Sequence, residues 1–231
     1  MIKISHKDIE TKPFLDYISP LILSVENPNA YFYFVKNLTA AFNGEESEFS
    51  FWEDSSQVLP EKKGEIIISP FYFEATDKKV VNLLREKLKN EYQNGDFIVS
   101  LNEINAKLEK FLYELCSTVD FSIDFNCLGI EELLKACSVK PSVLFDSFLE
   151  KLICYINVFI ELKSISFIVL VGFKSVLSET DLLSLYKHCE MQKVALFLVE
   201  GAIVKDCLSA ERQIIITEDL CEIVANIEES C

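Results

Sequence analysis

Oxygen-bearing side chains recur at alternate positions in residues 120–132. The side chains at the first, third, fifth, seventh and twelfth positions of this stretch are Asp120, Ser122, Asp124, Asn126 and Glu131. Calcium-binding loops place their hard oxygen ligands with this spacing. The glycine that such a loop requires at its sixth position is replaced by Phe125. Taken alone, the pattern favours the alternative, a short amphipathic strand with its polar residues on one face.

A second chemistry to test is phosphate binding, which parallel α/β proteins perform at the turn after their first strand. Here that turn is residues 24–29, and it contains neither a Gly-x-x-x-x-Gly-Lys nor a Gly-x-Gly-x-x-Gly motif. Glu26 in this turn would repel phosphate, and none of the six glycines are clustered. The sequence therefore argues against a nucleotide hydrolase.

The sequence also lacks the motifs that are typical of nucleophilic catalysis and of zinc binding. The two histidines, His6 and His188, lie far apart, and no Gly-x-Ser-x-Gly elbow is present. His188 falls in the last turn of a predicted helix, where a cation suits the helix dipole. The eight cysteines form no Cys-x-x-Cys pair, which favours free thiols in a reducing compartment over a metal site.

Twenty lysines accompany two arginines. Lysine without arginine suits contact with a nucleic-acid backbone better than base reading, because bidentate pairing with guanine favours arginine. The lysines at or near the ends of predicted elements are Lys62, Lys63, Lys78, Lys79, Lys174 and Lys205. The alternative for any one of them is an ordinary solubilising surface charge, and the net charge of −15 by itself argues against nucleic acid.

The elements that position these residues centre on residues 167–200. Two continuously apolar strands flank a helix that Ser178 and Asp181 cap, which predicts a parallel βαβ unit. The other predicted strands, which should join the same sheet, are residues 21–25, 48–52, 65–69 and 213–217. The other predicted helices begin near Pro28, Thr76, Ser100, Leu128, Pro141 and Glu218.

These elements predict an α/β fold with a parallel-sheet head and an inserted α-helical domain. The head is formed by residues 1–75 and 164–231, and the helical insertion by residues 76–163. The N-terminus has no signal-peptide pattern, and no apolar run reaches the roughly 20 residues needed to span a membrane. We therefore expect a soluble, cytoplasmic protein.

Several runs resemble the ring-forming spacer-acquisition protein family of type II-A CRISPR systems. The clearest are residues 167–186, FIVLVGFKSVLSETDLLSLY, and residues 194–200, VALFLVE. A further match is residues 123–135, IDFNCLGIEELLK, and residues 21–42 and 65–92 are similar in pattern.

The resemblance implies a degenerate nucleotide-binding-like head without a phosphate loop, joined to a helical leg domain. It further implies a homotetrameric ring whose lysine-lined hole encircles ends of double-stranded DNA. Such a protein acts beside the CRISPR integrase complex and the effector nuclease, binds calcium, and has no catalytic activity assigned to it. Carried onto this sequence, the resemblance gives Asp120, Asp124, Asn126 and Glu132 as calcium ligands. Asn126 and Cys127 stand where relatives can carry acids, so we expect calcium either to bind weakly here or to be dispensable.

Two other classes of function are weighed against the DNA-end ring. One is a diverged nucleotide-binding enzyme, which the missing phosphate loop opposes. The other is an interaction scaffold whose acidic surface docks a basic partner.

Overall fold

The computed structural model describes residues 1–142, 145–205 and 207–225. The strands are β1 (Ile2–Ser5), β2 (Phe14–Leu15), β3 (Leu21–Val25), β4 (Ser50–Glu53), β5 (Ser56–Val58), β6 (Gly64–Ile67), β7 (Phe167–Val171), β8 (Ala195–Glu200), β9 (Arg212–Ile216) and β10 (Glu222–Ala225). The helices are α1 (Pro28–Phe42), α2 (Pro60–Lys63), α3 (Lys78–Asn94), α4 (Phe97–Cys116), α5 (Ile130–Ala136), α6 (Phe148–Lys163) and α7 (Glu179–Gln192).

A six-stranded sheet has the order β10-β9-β3-β8-β7-β6. All of its neighbouring pairs are parallel except β10–β9, which is antiparallel. The predicted βαβ unit is confirmed as β7-α7-β8. Ser178 accepts a hydrogen bond from the Asp181 amide, and Asp181 completes the capping box. The predicted α/β class is thus confirmed.

A second sheet was not predicted. β1, β2, β4 and β5 form a four-stranded antiparallel sheet, which we call the N-terminal sheet, with the order β2-β1-β4-β5. The prediction that the strand near residues 48–52 joins the parallel sheet is therefore wrong. Phe51 is buried while Trp52 is exposed, and a strand that presents one face to water suits an antiparallel sheet.

One continuous core links the two sheets. The odd-numbered residues of β3 and β7 pack with α1 and with the buried face of the N-terminal sheet, which includes Ile2, Ile4 and Phe51. Helix α7 contacts both β8 and α6. Both faces of the parallel strands are thus covered, which explains why those strands are apolar throughout.

By contacts, the chain divides into two compact units. The first unit is Met1–Glu74 with Leu144–Cys231, and the second is Ala75–Val143. Helix α6, which the sequence analysis assigned to the insertion, belongs to the first unit. Its buried residues include Leu152, Ile156 and Phe159, whose helical spacing places them on one face of α6.

Several predicted helix starts are wrong. Helix α3, with Asp77 as its cap, begins close to the predicted Thr76, whereas Ser100 lies inside α4. Helix α6 begins after Ser147, whose hydroxyl accepts the Glu150 amide, rather than at Pro141. The sequence offers several hydroxyl and carboxyl side chains near each start, so capping chemistry alone does not choose among them.

The helix predicted over residues 218–227 is replaced within the described residues by β10, which pairs with β9. Leu220 has φ of 63°, and this left-handed conformation turns the chain back toward β9. The Glu222 carboxylate then accepts hydrogen bonds from the backbone amides of Glu10 and Thr11. Residues 226 and 227 of the predicted helix lie outside the described residues.

Candidate functional site

In the turn after β3, a side chain of the turn itself occupies the backbone amides that could otherwise bind phosphate. Asn27 Oδ1 accepts the backbone N–H groups of Asn29 at 3.0 Å and Ala30 at 3.1 Å. Pro28 at the start of α1 has no N–H to offer. The amides that hold phosphate in nucleotide-binding α/β proteins are therefore already bonded to Asn27, or missing. The structure of this turn thus agrees with the absence of a glycine-rich phosphate-binding motif from its sequence.

Lys174, which the sequence predicted to contact DNA, is held inside the first unit. Its Nζ lies 2.5 Å from Glu211 Oε1, and the side chains of Lys174 and Glu211 are 9% and 0% exposed. Tyr186 donates its hydroxyl proton to the same carboxylate oxygen at 2.5 Å, and burial together with this bond raises the pKa of Tyr186 far above its usual value. Lys174 thus neutralises a buried carboxylate, and we do not retain it as a DNA contact.

Glu200 ends β8 beside this pair. Its carboxylate accepts the Lys174 backbone N–H at 3.0 Å. Burial raises the pKa of Glu200, and this backbone bond and the Lys174 charge oppose the rise. Glu200 and Lys205 line one groove in the first unit, and Lys205 is exposed at its rim. The acidic end of β8 therefore positions the loop that follows β7.

The remaining predicted lysines are on the surface. Lys62 and Lys63 are exposed on α2, and Lys63 lies 3.7 Å from Glu53. Lys78 and Lys79 are exposed at the first two positions of α3, in the second unit. The N-terminal end of a helix dipole disfavours cations, so these two positive charges are placed where a nearby anion would stabilise the helix.

The predicted calcium ligands Asp120, Asp124, Asn126 and Glu132 are all exposed. Residues 122–129 form neither a helix nor a strand, so the alternative of a short strand is not formed. Helix α5 then carries Glu131 and Glu132 in its first turn. Lys89 donates to Glu131 Oε1 at 2.9 Å, and this bond lowers the pKa of Glu131. The assignment of calcium to these residues stays a prediction.

Sequence reasoning missed the surroundings of His6. Its side chain is fully buried, and its ring packs against those of Phe34 and Phe49, with centroids 4.5 and 4.4 Å away. His6 Nδ1 accepts the Asp8 backbone N–H at 3.2 Å, while Nε2 lies 3.6 Å from Glu48 Oε2. No periodicity or motif relates His6 to residues 34 and 48, so no feature of the sequence indicated this cluster.

The cluster of His6, Asp8 and Glu48 fits a metal poorly. Within the described ranges it is the one group of at least three His, Cys, Asp or Glu side chains whose ligand atoms all lie within 4.8 Å of one another. The carboxylates of Asp8 and Glu48, however, lie beside opposite ring nitrogens of His6, at 3.9 and 3.6 Å. The Lys7 ammonium lies 2.8 Å from Glu48 Oε1, so a cation already balances that carboxylate. The arrangement therefore suits a structural histidine.

Stability is expected to fall on mild acidification because of the histidines. Burial lowers the pKa of His6 more than Asp8 and Glu48 raise it, and burial also lowers the pKa of His188. Each folded-state pKa then lies below the unfolded value of about 6.5. The unfolded chain takes up protons first, so this stability is complete above about pH 6.5 and is lost as pH falls through the lowered folded values. The prediction that His188 is a cation favoured by the helix dipole is not supported by this shift.

Denaturant unfolding between pH 7.5 and 5 tests this, with His6→Phe as the main variant. Phenylalanine keeps a ring packed against Phe34 and Phe49 but cannot titrate, so the pH dependence of the free energy of unfolding should flatten. His188→Gln is the matched variant for the second histidine and should remove only the part of the pH dependence that comes from His188. Glu200, whose raised pKa adds stability at lower pH, acts in the opposite direction. An unchanged pH profile in His6→Phe would contradict the assignment.

Comparison with known proteins decides the family. A family model described as CRISPR-associated protein (Cas_Csn2) matches residues 41–220. The chain belongs to this family. No curated protein matches the chain significantly.

The Cas_Csn2 match covers the end of α1, the strands β4 to β9 and the whole second unit. It confirms the resemblance to the family of type II-A CRISPR systems. The chain therefore has a CRISPR-associated role in spacer acquisition, in which other CRISPR components take part. Among the described residues, the helices of this Cas_Csn2 member are too short or too polar to cross a membrane.

Proposed function

We propose that this Cas_Csn2 member assembles as a homotetrameric ring that encircles ends of double-stranded DNA during spacer acquisition. It does so without reading sequence and without catalysing a reaction. The ring presents captured ends to the CRISPR integrase complex and works beside the effector nuclease. This proposal joins the family membership to three features of the chain.

The observation that carries the proposal is the apolar surface of α4. This helix has 20 residues, and Leu101 is its only buried one. Its exposed large apolar side chains are Phe97, Ile98, Val99, Ile104, Phe111, Tyr113 and Leu115. Successive residues are rotated by about 100°, so Phe97, Ile98 and Val99 face different directions. Apolar surface of this extent marks a protein interface, and further copies of the chain are its occupant in a ring.

A second support is the placement of lysines. Lys62, Lys63, Lys78, Lys79 and Lys205 are all exposed. A ring collects these charges from four copies, so a chain with a net charge of −15 can line one hole with positive charge. Lysine contacts to phosphates position a duplex and carry no sequence information.

The third support is the closed turn after β3, where Asn27 occupies the helix amides. The chain therefore lacks the phosphate site that a nucleotide-dependent enzyme would have at this turn. This favours a binding protein over the enzyme alternative. We retain calcium as a cofactor held weakly by Asp120, Asp124, Asn126 and Glu132. Their exposed carboxylate and amide oxygens are of the kind that calcium prefers.

The first test compares a linear duplex with a relaxed closed circle of the same sequence, at low salt with calcium, alongside mass determination. We expect a tetramer that binds the linear form and not the circle. Equal binding to both would contradict end-loaded encirclement. A monomer without duplex affinity would instead favour an interaction scaffold.

Duplex binding should also depend steeply on salt. The logarithm of the association constant should fall by about 0.9 per logarithm of salt for each phosphate neutralised. Because the ring repeats each lysine, Lys62→Gln and Lys78→Gln should each weaken binding for all sequences and reduce the slope by about one or more. Lys187→Gln, at an exposed position of α7 outside the proposed set, is the matched control. Equal slopes in all three variants would remove these lysines from the DNA contact.

A further inference from the structure

The N-terminal sheet has a solvent-facing side that carries the chain's one tryptophan. Trp52 pairs across the strands with Lys3 of β1 and Gln57 of β5, so the three side chains lie in one row. Ser5 and Ser50 form the neighbouring row on the same side. We call these five residues the outer face of the N-terminal sheet. The buried side chains of β1 and β4, which include Ile4 and Phe51, point the other way into the core.

The indole on this face is held in place but not covered. Trp52 Nε1 donates a hydrogen bond to Ser50 Oγ at 3.1 Å, which fixes the ring along its own strand. Trp52 is 37% exposed, although tryptophan has the largest apolar surface of any side chain. A fixed, partly exposed indole is a surface on which a flat ring can stack at little cost in side-chain entropy.

The charge around the indole is positive, against the trend of the chain. Lys3, Lys12 and Asp54 line the hollow of about 320 Å³ that contains Trp52, Ser5 and Ser50. Two lysines against one aspartate give this hollow a net positive charge, whereas the whole chain carries −15. Lys3 and Lys12 are both exposed. The site therefore complements an anionic ligand that also has a flat ring.

We propose that the outer face of the N-terminal sheet binds single-stranded DNA, with a base stacked on Trp52 and the adjoining phosphates at Lys3 and Lys12. Stacking on an aromatic platform beside lysines is how proteins hold single strands without regard to sequence. A duplex keeps its bases stacked on one another and offers Trp52 no free face. The hydroxyls of Ser5 and Ser50 and the amide of Gln57 supply hydrogen bonds to the exposed base edge.

The choice of DNA rests on the proposed function, because a duplex end that is captured for spacer acquisition frays into single strands. The outer face would hold such a strand separately from the lysines assigned to the duplex. Nothing in the stacking itself requires the ring, so the two proposals can fail independently.

The test uses the fluorescence of the full chain, in which Trp52 is the only tryptophan. A twelve-nucleotide oligo(dT) is titrated at low salt, and stacking on Trp52 is expected to quench the emission. An oligonucleotide of the same length with abasic sites carries the phosphates without the bases, and it should leave the emission nearly unchanged. Equal quenching by the abasic strand would overturn the stacking.

Variants are measured by the anisotropy of labelled oligo(dT), because Trp52→Ala removes the reporter. Loss of one stacked base should weaken binding about 5-fold to 150-fold in Trp52→Ala. Trp52→Phe keeps an aromatic surface and should recover much of the affinity. Lys3→Gln with Lys12→Gln should reduce the salt dependence of binding by about 1.4, and Lys187→Gln should leave it unchanged. Circular dichroism checks that each variant is folded.

The outcomes separate the two proposals. Duplex binding that persists while oligo(dT) fails to quench Trp52 overturns the outer-face site alone. Quenching that persists while linear duplex is not bound overturns the ring alone. Tighter binding of the matched RNA strand, or affinity unchanged by Trp52→Ala in a folded protein, would also overturn the assignment of single-stranded DNA to this face.

Discussion

Replacement of Glu211 by alanine is expected to lower the free energy of unfolding by about 3–5 kcal/mol, because it leaves the Lys174 ammonium buried without the carboxylate that pairs with it. Glu211 is the residue that makes burial of Lys174 tolerable, since it accepts from Lys174 and Tyr186 at one oxygen and from the Leu208 amide at the other. Removing the pair together should cost less. The variant Lys174→Met with Glu211→Leu is therefore expected to recover much of the loss.

Denaturant unfolding followed by Trp52 emission measures this effect, because the only tryptophan lies in the first unit. Glu53→Gln is the matched control. It breaks the exposed ion pair between Lys63 and Glu53 in the same unit, and exposed pairs contribute little. Two outcomes would contradict this explanation: similar losses of stability in the two single glutamate variants, or a double variant no more stable than Glu211→Ala. Either would show that the loss in Glu211→Ala does not come from breaking the Lys174–Glu211 pair.

Replacement of Phe167 by alanine is expected to cost about 3–5 kcal/mol by leaving a cavity at the junction of the two sheets. Phe167 begins β7 and is completely buried. Its ring lies 5.3 Å from that of Phe51 on the N-terminal sheet and 5.8 Å from that of Phe42 on α1. A Cβ added to Gly64 would lie 2.5 Å from Phe167 Cζ, so glycine on β6 is what admits the ring.

The same Trp52 assay serves this prediction, with Phe32→Ala as the control. Phe32 is 70% exposed on α1, so its loss should change the free energy of unfolding by less than about 0.5 kcal/mol. Equal losses in the two variants would show that the ring of Phe167 is not the link between the sheets.

The parallel sheet was predictable because its strands are buried on both faces, and such strands are continuously apolar. The N-terminal sheet was harder to foresee. β2 has two residues and β5 has three, which is too short for an alternating pattern to emerge. The β10 hairpin depends on the positive φ of Leu220. Leucine rarely adopts this conformation, so the local sequence does not predict it.

The residues of the candidate site likewise include some that were predictable from the sequence and some that were not. Exposed lysines at element ends could be named from the sequence, since charge and turn signals are local. The burial of Lys174 could not, because its partner Glu211 lies 37 residues further along the chain, just before β9. The outer face of the N-terminal sheet was missed for the same reason, since Lys3 and Trp52 meet only through the pairing of β1 with β4.

The place of β3 in the sheet has a consequence for the order in which the chain folds as it is made. β3 is the third strand to be synthesised, yet Leu21 pairs with Phe197 on one side and Arg212 on the other. Neither neighbour exists until the ribosome has made nearly the whole chain, whereas the second unit can form earlier from contacts within itself. A nascent chain halted before β8 would therefore present two unpaired apolar edges of β3, which makes truncated products prone to aggregate.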